Sequence, residues 1–195
     1  MNRNVLLGAA LAATVALVSA GSARSAERAI EKSAVIDATL DQAWDSWTTR
    51  EGIVGFFAPD AKIEPKLGGA FQIYFDPMAE PGLKGADDMK YMALQPKKMI
   101  SFDWNAPPSL SEVRDQHTFV TVRFEPVTDK QTRVTIHHTG WGDGGQWDKA
   151  YAYFDRAWGN VLANLQKRWS EGRPYDWTEW LGQLRKMREQ SVQKK

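Results

Sequence analysis

The amino-acid sequence predicts an α+β domain in which a curved antiparallel β-sheet wraps around one long C-terminal α-helix, with two short helices after the first strand. Three observations carry this. Segments between Phe71 and Gly140 alternate apolar and polar residues, the mark of strands with one buried side. The period then changes to that of a helix. Helix-capping patterns stand between the first strand-like segment and the alternating block.

The elements follow in order. AIEKSAVID, Ala29 to Asp37, reads as the first strand. Thr39-Leu40-Asp41-Gln42 has the form of a capping box, opening a short helix that buries Trp44 and Trp47. Thr48 and Glu51 repeat the pattern for a second short helix reaching Phe57, which Pro59 ends. FQIYF (Phe71 to Phe75) follows the Gly68-Gly69 turn signal, and MKYMAL (Met89 to Leu94) precedes Pro96. MISFDW puts Ile100, Phe102 and Trp104 on one face. TFVTVRFEP does the same for Val120, Val122 and Phe124, and TRVTIHHTG for Val134, Ile136 and His138. Short links such as Thr128 to Gln131 imply antiparallel hairpins. Trp147, Tyr151, Phe154, Trp158, Leu162, Leu165 and Trp169 then form one apolar stripe on a helix of about six turns. Gly144-Gly145 precedes it, and Gly172 with Pro174 ends it. A weaker, basic helical segment follows over residues 175–195.

Composition narrows the function. The chain has 195 residues, 43% hydrophobic and 25% charged, the balance of an ordinary globular domain. A net charge of +1 and the lack of a long basic run argue against nucleic acid as a partner. Without cysteine there is no disulfide, no thiolate nucleophile and no cysteine-ligated zinc. Nine tryptophans are many for this length and supply a large core or an aromatic-lined cavity. Residues 1–23 read as an export signal: Arg3, an uncharged apolar run from Val5 to Val18, then small residues suited to cleavage near Ala20 or Ala23. That run is shorter than the about 20 residues a membrane-spanning helix needs, so no stable membrane insertion is expected after cleavage. The expected organisation is an exported, periplasmic protein with a signal peptide at 1–23, one domain at 28–172 and a helical tail at 173–195.

AVIDATLDQAWDSWTTREGIVGFF (Ala34 to Phe57), LGGAFQIYF (Leu67 to Phe75), QPKKMISFDW (Gln95 to Trp104) and TRVTIHHTGWGDGGQWDKAYAYFDRAW (Thr132 to Trp158) carry a family likeness. With their order, they resemble the SRPBCC superfamily, the helix-grip fold of START lipid-transfer and birch-pollen-allergen-like domains. Within it, the chain is most similar to proteins like the activator of the 90-kDa heat-shock protein ATPase. The resemblance implies a cavity between sheet and long helix. The superfamily includes lipid carriers, cyclases, hormone receptors and co-chaperone domains, so the fold alone does not select among them.

The candidate site is therefore that cavity. From the sheet it would be lined by Ile73, Phe102, Trp104, Val120, Val122 and Ile136, and from the helix by Tyr151, Phe154 and Trp158. His138, sharing a face with Val134 and Ile136, would be its polar anchor or, in an ordinary core, a histidine bonded to a carbonyl or acid. His137 and His138 are strand neighbours and point to opposite faces, so they cannot share one metal ion. No nucleophile elbow and no phosphate loop is present in the sequence. The preferred expectation is a cofactor-free carrier or sensor of a small hydrophobic molecule, lipid- or polyketide-like, with no catalytic or metal-binding residue. A cyclase- or aldolase-type enzyme using His138 and a protein-interaction module involving residues 175–195 are the alternatives.

Overall fold

The structure, a computed structural model, describes residues 27–193, so the expected export signal lies outside the described residues. Strand β1 (Ile30–Ile36) leads to helices α1 (Leu40–Thr48) and α2 (Arg50–Val54). Strands β2 (Asp60–Ile63), β3 (Phe71–Tyr74), β4 (Gly85–Ala86), β5 (Tyr91–Gln95) and β6 (Met99–Trp104) follow. After the single-turn helix α3 (Ser111–Arg114) come the long hairpin strands β7 (Thr118–Thr128) and β8 (Gln131–Thr139). Helices α4 (Gly145–Glu171) and α5 (Thr178–Gln193) complete the described chain.

The main sheet is antiparallel with strand order β1-β8-β7-β6-β5. Its register aligns the inward residues expected from the period-two pattern: Phe102 opposite Val120, Val120 opposite His138, and Val122 opposite Ile136. A second sheet, β2-β3-β4, meets the first at one bridge between Ala70 and Lys90. The sheet system stays open, and α4 lies against β1 along its open side. The Lys32–Asp155 ion pair (2.7 Å) and the Gln166 amide on the Val35 carbonyl (3.0 Å) tie the two together.

Local chemistry explains the element ends. Thr39 caps α1 through the full capping box: its hydroxyl accepts from the Gln42 N–H, and the Gln42 side chain accepts from the Thr39 N–H. The second cap is displaced by one residue from the sequence expectation. Thr49, not Thr48, accepts from the Gly52 N–H (2.9 Å), while Thr48 donates back to the Trp44 carbonyl within α1 (2.9 Å). Gly52 is a steric requirement, because a Cβ there would lie 2.1 Å from the Asp45 carbonyl oxygen of α1. Gly172 ends α4 in the left-handed conformation, at φ +65°.

The core is dominated by large rings. Trp47, Phe56, Phe71, Tyr91, Phe102 and Trp158 are almost wholly buried. Each such side chain contributes about 1.5–3 kcal/mol through burial. Of the α4 stripe, Phe154, Trp158, Leu162 and Leu165 are buried, whereas Trp147, Tyr151 and Trp169 are half-buried along its flanks.

Candidate functional site

His138 sits at the centre of a closed polar chain. The Trp158 indole N–H donates to its Nδ1 (2.9 Å), and its Nε2 lies 2.7 Å from the Thr118 hydroxyl. Thr118 in turn donates to the Trp104 carbonyl (3.0 Å). An indole can only donate, so Nδ1 is unprotonated. The Thr118 proton is committed to the carbonyl, so Nε2 carries the hydrogen and donates it. The imidazole is therefore neutral. Burial pushes its pKa down to about 3, and the neighbouring His137 adds to the shift. Both ring nitrogens are used, and the ring is 0% exposed. His138 fastens α4 to β6, β7 and β8, and it has no proton or lone pair left over for a ligand.

Directly between the main sheet and α4 the space is filled by the protein's own rings. Trp104 lies 5.6 Å from Trp158, Phe57 stacks on Trp104 at 6.0 Å, and Phe71 stacks on Phe102 at 3.9 Å. The opening lies to one side, where the ends of β3 and β6 meet α4 and the C-terminal segment. It has two adjoining chambers of about 410 Å³ and 270 Å³. Phe75, Trp104, Tyr153, Phe154 and Trp180 border both. The larger chamber continues along α4 past Ala157, Trp158 and Val161 to Asn160 and Asn164. The smaller one runs under the β4 hairpin to Leu83, Asn105 and Pro107.

Three of the residues expected from sequence border this space: Trp104, Phe154 and Trp158. Ile73, Phe102, Val120, Val122, Ile136 and His138 are all 0% exposed and pack in the core beneath it. Tyr151 turns away. Its hydroxyl donates to the Ala29 carbonyl (2.9 Å), and its ring lies 5.1 Å from the Arg28 guanidinium.

The sequence reading missed the roof. Trp177 donates its indole N–H to the Val54 carbonyl and Trp180 to the Phe75 carbonyl, each at 2.6 Å. The Tyr175 N–H bonds the Gly55 carbonyl (2.8 Å), and Arg188 pairs with Asp76 (2.6 Å). These ties draw the tail over the cavity, although no described residue of α5 is buried. The available signal was two tryptophans three residues apart, one just before and one inside a helix with few other large apolar residues.

The walls are mainly carbon, with charge confined to Asp76 and Lys84 of the smaller chamber. Asp76 is held by Arg188, and the Lys84 ammonium sits 5.2 Å above the Tyr74 ring. Among the described residues no cluster of three His, Asp or Glu side chains could hold a metal ion, and no helix is long and apolar enough to cross a membrane.

An open antiparallel sheet gripping one long helix, with an aromatic cavity beside the grip, defines a helix-grip domain of the SRPBCC kind. The particular family is given by residues 37–169, which match the family described as Activator of Hsp90 ATPase homolog 1-like protein, and the chain belongs to it. No curated protein matches the chain. Solved structures share its fold at low identity. Protein MLL2253 from Mesorhizobium loti is 20% identical with a TM-score of 0.57, over 72% of this chain and 95% of that one. The Aha1 dimer protein from Colwellia psychrerythraea is 20% identical with a TM-score of 0.56, over 73% and 96%. DynU16, from the dynemicin biosynthetic locus, is 15% identical with a TM-score of 0.56, over 75% of this chain but 48% of its own.

Proposed function

We propose that this protein is an exported, periplasmic carrier or sensor that holds a small hydrophobic molecule in the aromatic cavity beside α4. The observation that carries the reading is the pair of adjoining chambers, about 410 and 270 Å³, sharing five wall residues, all of them aromatic. Those volumes suit a drug-sized ligand, and apolar burial there contributes about 25 cal/mol per Å². The tail closes the site with hydrogen bonds from two indoles rather than with core packing, so it can open at modest cost. The fold is shared with a protein of the dynemicin biosynthetic locus, which is in keeping with a small-molecule guest. The cyclase or aldolase alternative rested on His138, whose two nitrogens are already bonded inside the protein.

The test is titration with the neutral dye Nile red, following dye emission and tryptophan quenching. One equivalent binds to the wild-type chain, and Ala157→Trp, which fills the larger chamber from α4, removes binding while the fold is retained. Failure of the wild-type protein to bind, or undiminished binding by the filled variant, overturns the proposal. Native mass spectrometry of protein from its own host then gives the mass of the natural guest. Export is tested by the mature N-terminus in the periplasmic fraction, expected at Gly21 or Arg24.

A further inference from the structure

Among the described residues the buried hydroxyl, carboxylate and imidazole side chains are internally bonded, whereas the buried indole N–H groups of Trp47 and Trp104 have no partner. Ser46, Thr48, Thr118 and Thr132 donate their hydroxyls to backbone carbonyls at 2.8–3.0 Å. Asp87 accepts from the Gly82 and Gly85 N–H groups, both at 3.0 Å, and His138 is bonded at both nitrogens. The Asn105 side chain is likewise unpaired. It is 7% exposed, its amide has no hydrogen-bond partner among the described residues, and it borders the smaller chamber. Nor is the amide sealed in protein, since it is not among the fully enclosed polar atoms. Because the amide opens onto the chamber, water pairs with it until a guest displaces that water, and the guest must then supply the replacement bonds.

The loop that presents Asn105 is held rigidly. Asn105 follows the last residue of β6 and precedes Ala106-Pro107-Pro108, where two prolines fix the backbone. Arg114 bonds the Ala106 carbonyl and also donates to the carbonyls of Gly82 (2.6 Å) and Gly85 (2.9 Å). Asp87 stands 3.7 Å behind the guanidinium, with both side chains nearly buried. One buried ion pair thus ties the Asn105 loop to the β4 hairpin across the chamber. Such a supporting shell fixes the direction of a ligand-facing group.

Resting on the carrier reading above, we propose that Asn105 reads the guest's polar edge. The ligand is then an uncharged aromatic molecule bearing a group that both donates and accepts, such as a phenolic hydroxyl or a lactam. The amide offers an N–H donor and a carbonyl acceptor side by side, so a group with only one function leaves the other unmatched. Neutrality follows from the site, because Asp76 is already paired with Arg188, the Lys84 ammonium is engaged with the Tyr74 ring, and Asn105 is itself uncharged. An aromatic body follows from the rings of Phe75, Trp104 and Phe154 around it.

The experiment compares 2-naphthol with 2-methylnaphthalene, two probes of nearly equal size, by calorimetric titration of the full chain and of Asn105→Leu. The ratio of the two affinities is the readout. The substitution shifts it toward 2-methylnaphthalene by about tenfold, the size of one lost hydrogen bond in a protected site. A ratio unchanged within twofold, with both probes bound, overturns the role of Asn105 and leaves the carrier reading standing. If neither probe binds the wild-type chain, both fall. A measurement without any variant guards against misfolding: the Asn105 side-chain amide resonances move on adding 2-naphthol and stay in place on adding 2-methylnaphthalene. Resonances that ignore 2-naphthol overturn the proposal.

Discussion

Acid sensitivity is set by His138. In the unfolded chain its imidazole titrates at the ordinary 6.5, whereas in the fold burial holds it down to about 3. Between those values the unfolded state binds a proton that the folded state refuses, so stability falls as pH falls. The slope is about 1.4 kcal/mol per pH unit, and the contribution is fully present above pH 6.5. From pH 6.5 to 5 the loss is about 2 kcal/mol, and carried to pH 3 it reaches about 5 kcal/mol, comparable to the whole stability of a marginal domain. Protonation places a hydrogen on Nδ1, where the Trp158 N–H already points, so the bond holding α4 to the sheet becomes a clash of donors. His138→Gln supplies the control, because glutamine keeps an acceptor and a donor but does not titrate. Urea unfolding at pH 7, 6 and 5 gives the stabilities. At pH 7 the variant is the less stable by about 1–2 kcal/mol for imperfect hydrogen-bond geometry, and by pH 5 that gap has closed or reversed. The other histidines are present in both proteins and cancel. Parallel pH profiles for the two proteins would refute the buried, neutral assignment.

Other perturbations test separate parts of the fold. Thr39→Ala removes one arm of the α1 capping box and lowers stability by about 1 kcal/mol in urea melts. Gly52→Ala drives a Cβ against the Asp45 carbonyl and costs about 3 kcal/mol, whereas Gly172→Ala meets open space and costs about 1 kcal/mol for its left-handed backbone alone. Thermal melts of the two alanine variants reveal the order. Trp180→Ala removes a wall shared by both chambers together with the bond to Phe75, and it weakens Nile red binding about tenfold in fluorescence titrations. The same change speeds proteolysis in the 172–177 link, with little effect on global unfolding, because no described residue of α5 is buried.

The main sheet was legible because each strand carries its inward set at period two, from Ile100-Phe102-Trp104 to Val134-Ile136-His138, and burial enforces that register. The long helix was legible for the same reason at its own period, and the Thr39 box marked α1 unambiguously. Thr48 and Thr49 are both threonines at a helix junction, so the sequence could not say which one the second cap would use. Strands β2 and β4 are only four and two residues long, too short for a period to show, and they exist through pairing with β3. The cavity was the least legible feature. Alternation tells which side of a strand is buried, but not whether the neighbour is another side chain or empty space. Ile73, Val120 and Ile136 point inward as expected and meet core packing, while the openings gather at element ends, around Phe75, Asn105 and Trp180. Those positions depend on how a loop and a tail fold back, which no local pattern encodes.

The most direct measurement of the central claim uses the nine tryptophans as reporters. Indole N–H resonances are recorded by heteronuclear NMR while 2-naphthol is added. The signals of Trp104, Trp158, Trp177 and Trp180, which border the cavity, are predicted to move together with a single affinity, while those of Trp44, Trp47, Trp141, Trp147 and Trp169 stay in place. Shifts confined to the second set, or none in the first at saturating probe, would contradict a guest site beside α4.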